Sequence, residues 1–176
     1  MKDLKLMVGA LFILIASAYT VIQSANWQIK EDAYSVTFKG TKVEGTIKGL
    51  KAIILFDEKR PEASKITATL DANTLNTGNG MKNKHAKSTE GLDAKKFPEV
   101  HFESVSVTGK NGSYTAVGKL TIKSITKEVD LPFTFENKGA EGVFKGKMSI
   151  LSKEYNITKN GAPESFEIEI IAPVTK

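Results

Sequence analysis

Cysteine is absent, and histidine nearly so, with two in 176 residues. Without thiols there is no disulfide framework, no lipid attached through sulfur and no thiolate ligand or nucleophile. The two imidazoles, His85 and His101, have no second histidine at helical spacing and no cysteine to complete a donor set, so no metal site is expected. Glycine-rich loops of phosphate-binding spacing are also missing. Arginine runs interleaved with aromatics do not occur, and the formal charge of +5 is spread over lysines that alternate with acids. Nucleic acid is therefore not an expected partner. Long apolar runs are missing but for one, residues 6–22, which carry no charge and follow Met1-Lys2-Asp3-Leu4-Lys5.

That run has the make-up of an export signal, with Leu11 to Ile15 as its apolar centre. It is at the short end for a spanning helix, which needs about 20 residues. Residues 1–25 are expected to be a signal peptide, with an uncleaved anchor as the alternative. Ala16-Ser17-Ala18 fits the small-residue cleavage rule, and a cut after Ser24 or Ala25 also leaves a sensible start near Trp27. Export without cysteine points to a periplasm. Residues 26–176 are long enough for one domain with its own core.

What the remaining chain does have is alternation. Tyr34, Val36 and Phe38 share one face, as do Ile66, Ala68 and Leu70, then Val129, Leu131, Phe133 and Phe135, then Phe166, Ile168 and Ile170. Polar residues occupy the opposite positions, the signature of half-buried strands. In Leu50–Phe56, and in Val105 and Val107 set against Phe102, both faces carry apolar groups. Turn signals lie close together at Asp57–Pro61, Lys110-Asn111-Gly112 and Asn137-Lys138-Gly139, which makes an antiparallel meander. Glycines inside strands, at 45, 118 and 146, suit places where a sheet curves. A filled sandwich and a closed barrel both satisfy this pattern. Only a barrel of about eight strands leaves room for a small ligand.

One long segment interrupts the strands. Residues 76–104 open on a turn, pass through a polar helix-like stretch carrying His85, and enter a strand at Phe97-Pro98. Ser88 stands three residues after His85, close enough on a helix to meet it, but a triad also needs an orienting carboxylate and an oxyanion hole. No catalytic residue is assigned. His101 alternates with Val100 and Phe102 and is expected to point outward. What survives is the apolar strand surface, suited to hydrocarbon at about 0.8 kcal/mol per buried CH₂.

Three segments then resemble the YceI-like family of exported, lipocalin-like polyisoprenoid-binding proteins. The first is Leu75-Asn76-Thr77-Gly78-Asn79, Lys82-Asn83-Lys84-His85 with Ser88, and Lys96-Phe97-Pro98-Glu99-Val100-His101-Phe102-Glu103-Ser104. The second is Gly118-Lys119-Leu120-Thr121-Ile122 with Thr126-Lys127-Glu128-Val129, and the third is Lys153-Glu154-Tyr155-Asn156-Ile157. The resemblance covers Trp27 to about Ala172. The sequence departs from the family pattern at Asn83, Ala86, Gly91-Leu92 and Ser124-Ile125.

The resemblance implies an all-β fold: an eight-stranded antiparallel lipocalin-like barrel with a short helical insertion against its mouth or side. Combined with the alternation, it makes Val36, Phe38, Ile47, Ile54 and Leu70 candidate pocket-lining residues. Phe102, Leu120, Phe133 and Phe135 complete that set. Lys82 and His85 are candidates for contacting a polar or phosphate head, with helix capping as their alternative role. The implied partner is a hydrophobic or amphiphilic lipid, such as an isoprenoid quinone or polyprenyl lipid, with no other cofactor. Transient membrane contact and homodimerisation are compatible with it. Two other readings stay open: an envelope protein, structural or stress-responsive, whose barrel is merely a filled core, and a hydrolytic or isomerising enzyme using His85.

Overall fold

The computed structural model describes residues 24–176, so the expected leader up to residue 23 lies outside them. Ten strands follow in order: β1 (Ala25–Ile29), β2 (Ser35–Gly40), β3 (Val43–Thr46), β4 (Lys51–Phe56), β5 (Lys65–Asp71), β6 (Glu99–Lys110), β7 (Ser113–Ile122), β8 (Ile125–Lys138), β9 (Glu141–Leu151) and β10 (Ser165–Thr175). A single α-helix among the described residues, α1 (Gly80–Lys87), falls in the segment between β5 and β6. All pairings between strands are antiparallel, in the order β1-β4-β5-β6-β7-β8-β9-β10. Gln28 and Ile29 of β1 pair with Thr175 and Val174 of β10, which closes the ring at eight strands.

β2 and β3 are continuations of β1 and β4 past a break. β2 pairs with the upper half of β10, Glu167 to Ile171, and β3 pairs with β2. Tyr34 closes the gap: its hydroxyl accepts the N–H groups of Gly49 at 2.8 Å and Leu50 at 3.2 Å. Backbone donors stranded by a broken ladder are thus satisfied, as buried or half-buried backbone groups must be.

The strand ends define two unlike ends of the barrel. The short turns at 57–64, 111–112 and 139–140 lie at the base. Gly112 accepts the Phe135 N–H there, and Asn137 donates to the Glu58 carboxylate at 2.8 Å. The base is filled by aromatic rings. Phe56 packs edge-on against Tyr114, Phe135 and Phe144 with centroids 5.0 to 5.3 Å apart, and Trp27 meets Phe135 at 5.0 Å. Edge-to-face pairs of this kind add about 0.5–1.5 kcal/mol each beyond their buried area.

The other end carries the β2–β3 turn and the two longest connections, residues 72–98 with α1 and residues 152–164. Here rings lie over glycines. A side chain at Gly45 would meet the Phe38 ring at 2.6 Å, and one at Gly118 would meet the Phe102 ring at 2.6 Å. Two of the strand glycines singled out in the sequence therefore make room for inward aromatics from the neighbouring strand.

β6 and β7 shift register between Ser104 and Ser106. This bulge leaves Val105 outward and 63% exposed, while Phe102 on one side of it and Val107 on the other both face in. The two-faced apolar pattern in that strand is thus a change of parity, as an extra residue in one strand requires.

Candidate functional site

Above the aromatic base the inward side chains of opposite strands stop meeting. They surround a cavity of about 570 Å³ that runs up to the mouth, within the roughly 300–1,000 Å³ usual for small-molecule sites. Its wall is made by Val36 and Phe38 of β2, Ala52 and Ile54 of β4, Ile66, Ala68 and Leu70 of β5, Phe102 of β6 and Leu120 of β7. Leu131, Met148, Ile168 and Ile170 close it on the far side, and Phe133 and Phe144 form its floor where they join the aromatic base. At the ~30 Å³ that a water-sized group occupies in a liquid, this space takes roughly twenty such groups.

Of the nine apolar residues expected to line a pocket, Val36, Phe38, Ile47, Ile54, Leu70, Phe102, Leu120 and Phe133 do so. Phe135 does not. It lies below the floor, 4.4 Å from Phe144 and 5.1 Å from Phe56 between ring centroids. Alternation assigns a side chain to the inner face but says nothing of its height in the barrel, and β8 carries Phe135 one step nearer the base than Phe133.

Polar groups are confined to the mouth. Thr41, Lys42, Thr77, Lys82, His85, Lys159 and Asn160 border the opening, and among the described residues no aspartate or glutamate lines the cavity. Lys82 and His85 are three apart on α1, so they fall on one face of it, together with Ala86. Lys42 and Lys159 were not anticipated. The first sits in the two-residue turn after Gly40 with a positive φ of 63°, and the second precedes the Asn160-Gly161 turn. Turn composition between alternating segments is the signal that marks both.

α1 is started by Asn79, whose side chain accepts the Lys82 N–H, a standard helix N-cap. Asn83 then folds the preceding turn onto the helix. Its carbonyl oxygen accepts from both the N–H and hydroxyl of Thr77 at 2.7 Å, and its amide donates to Asn76. An acid at this position would keep the two acceptor roles and lose the donor to Asn76. The Ser88 hydroxyl donates to the His85 carbonyl at 2.7 Å. It closes the helix and is not directed at the imidazole.

After α1 the chain doubles back. A side chain at Gly91 would stand 2.2 Å from the Ala86 carbonyl oxygen, so only glycine permits the approach. The returning segment is tied to the 152–164 connection. Glu90 accepts the N–H groups of Thr158 at 2.9 Å and Lys159 at 3.1 Å on its carbonyl, and the Lys159 ammonium at 2.7 Å on its carboxylate. The Lys159 hydrogen bond and charge hold the Glu90 carboxyl below its usual range, against a smaller opposing effect of desolvation. Lys123 bridges the same two segments, donating to Thr89 and Asn156 carbonyls. Together they form a cover over part of the mouth.

His101 lies opposite Thr69 and Thr121 on the outer face of the sheet, as its alternation with Phe102 requires. Among the described residues no group of three or more histidine, cysteine, aspartate or glutamate side chains is placed to hold a metal ion.

Comparison with known proteins gives a family from the sequence and a shared fold from solved structures. Residues 27–174 match the model of the YceI-like domain. The protein YceI of Salmonella newport (strain SL254) is 32% identical over 155 residues, covering 85% of this chain and 78% of its own length. Among solved structures, BcnA of Burkholderia cenocepacia superposes with a TM-score of 0.75 at 23% identity, over 84% of this chain and 99% of that one. A polyisoprenoid-binding domain from Saccharophagus degradans, implicated in plant cell wall breakdown, superposes with a TM-score of 0.68 at 9% identity, over 85% and 97%.

Proposed function

This chain belongs to the YceI-like domain family, and on that premise we propose that its barrel carries an isoprenoid-type or other amphiphilic lipid. The observation that carries the proposal is the cavity of about 570 Å³, apolar along its walls and floor and polar only at its mouth. Hydrocarbon gains about 0.8 kcal/mol per CH₂ on leaving water, so ten buried carbons supply roughly 8 kcal/mol. Lost freedom of motion on binding takes back part of that. A filled-core protein would instead bring these strand faces together.

The mouth selects for the head. Lys42, Lys82 and His85 offer hydrogen-bond donors, and among the described residues no carboxylate lines the cavity to receive a cationic group. A head rich in acceptor oxygens fits, such as a quinone ring or a prenyl phosphate, whereas an amine head does not. The fold neighbour named for polyisoprenoid binding supports the same class. Binding is favoured over catalysis because Ser88 is committed to a backbone carbonyl and the Glu90 carboxylate to Lys159. The leader-like run supports a periplasmic place of action.

Native mass spectrometry and organic extraction of protein purified from its own host test this. A co-purifying prenyl lipid or quinone is the expected result. A barrel that is reproducibly empty, and that takes up neither isoprenoid quinones nor prenyl phosphates, would count decisively against it.

A further inference from the structure

Four lysines of the barrel wall are ion-paired, Lys30 with Glu141, Lys65 with Glu103, Lys145 with Glu136 and Lys147 with Glu167; others there, such as Lys39, Lys51 and Lys127, stand singly on separate strands. α1 has the sequence Gly-Met-Lys-Asn-Lys-His-Ala-Lys, with no acid at all. Among the described residues no carboxylate forms an ion pair with Lys82, Lys84 or Lys87. Lys82 and Lys87 donate to the backbone carbonyls of Lys42 and Asn73, which leaves their charge uncompensated.

α1 also carries Met81, which at 65% is the most exposed of the large hydrophobic side chains. Met81 and Lys84 are three residues apart and share a face of the helix. That face does not line the cavity, whereas the adjoining one, with Lys82, His85 and Ala86, does. An uncompensated basic helix with one outward apolar side chain therefore sits directly beside the opening of the barrel.

We propose that α1 docks the mouth onto an anionic phospholipid bilayer, Met81 entering the headgroup region and Lys84 meeting the lipid phosphates, while the charges of Lys82 and Lys87 add to the attraction from a distance. The inference rests on the cargo reading above, because an amphiphile with most of its carbon buried is exchanged most readily at a membrane. Charge complementarity selects the occupant. Basic residues close to an anionic surface attract it over roughly a Debye length, about 10 Å at 0.1 M salt. A contact made by so few residues is weak and reversible, which suits a carrier that must leave again.

Co-sedimentation with vesicles of phosphatidylcholine alone, and of phosphatidylcholine mixed with phosphatidylglycerol, tests the proposal. Binding is expected only to the anionic vesicles and is expected to vanish as salt rises from about 0.1 M to 1 M. Lys84→Glu moves two charges and should weaken it about 25-fold, from about 1 kcal/mol per charge near the surface and tenfold per 1.4 kcal/mol. Met81→Asp should weaken it as well. Lys59→Glu with Lys110→Glu, at the opposite end, should leave it intact.

Equal binding to both vesicle types, no binding by the wild-type protein, or equal loss in the base variants would overturn the proposal. So would a concentration-dependent dimer, formed without vesicles and abolished by the α1 variants. Prenyl uptake measured in vesicle-free solution reports separately on the cargo reading, since neither Met81 nor Lys84 lines the cavity.

Discussion

Tyr155 carries the one buried side-chain polar atom, among the described residues, that finds no hydrogen-bond partner. It is fully buried at the end of a 3-10 turn, Ser152–Tyr155, and belongs to the hydrophobic core. Burial, with a smaller contribution from Glu154, pushes its hydroxyl up to about 12. The unfolded chain ionises this group near 10, so its contribution to stability is complete below that pH and is lost as pH rises from there towards 12. Tyr155→Phe removes the uncompensated hydroxyl while keeping the ring. An unsatisfied buried group costs about 1–3 kcal/mol, so the variant should be at least as stable at neutral pH. It should also show a flatter alkaline limb, as urea unfolding compared at neutral pH and between pH 10 and about 12 would show. A variant that loses stability at neutral pH would mean that the hydroxyl has a partner after all.

At the scale of elements, the cover over the mouth is held by few groups, and most of them are backbone. Its side-chain tie, Glu90 to Lys159, is exposed, and such pairs add little to global stability. Its effect is expected to be local. The Glu90 carboxyl is held below its ordinary value of 4.5, so the tie is complete above that pH and is lost as pH falls through the lowered value. Amide exchange at Thr158 and Lys159, corrected for intrinsic rates, should therefore speed up in wild-type protein as the pH falls through that lowered value. In Glu90→Gln it should be faster at neutral pH and nearly independent of pH. Unchanged protection in the variant would assign the closure to the Lys123 bridge and the backbone bonds alone.

Much of this element-scale organisation was legible beforehand, because a period of two is a direct consequence of strand geometry. The turns at Lys110-Asn111-Gly112 and Asn137-Lys138-Gly139, the helical insertion and the outward His101 all follow from local pattern. The parity change in β6 was visible only as apolar residues on both faces, since a bulge has no residue signature as firm as a turn's. The breaks at 30–34 and 47–50 were not visible. They depend on the Tyr34 hydroxyl reaching Gly49 and Leu50, a contact between distant residues. Phe135 shows the same limit, because height within a barrel is set by how all eight strands stagger.

For the whole molecule, the decisive property is that eight strands close around a space that side chains fill only at one end. Occupying the space from within should separate binding from folding. Ala68 faces the cavity from β5, opposite Phe102 and Ala52 in the ladder. Ala68→Trp should abolish prenyl uptake while shifting the melting temperature little, because its ring enters a void and avoids the overpacking that costs 1–3 kcal/mol in a dense core. Uptake measured by native mass spectrometry and thermal unfolding by circular dichroism check the two halves. Retained uptake would place the cargo elsewhere.

The base has a consequence of another kind. Ser24 donates to the Ala63 carbonyl there, the Lys176 N–H donates to Ala140, and the Lys176 ammonium lies 4.8 Å over the Trp27 ring. Residues 24 and 176 thus both leave the barrel at its foot. Whatever is joined to either one, a fusion partner or a resin, holds the vessel upright with its rim free.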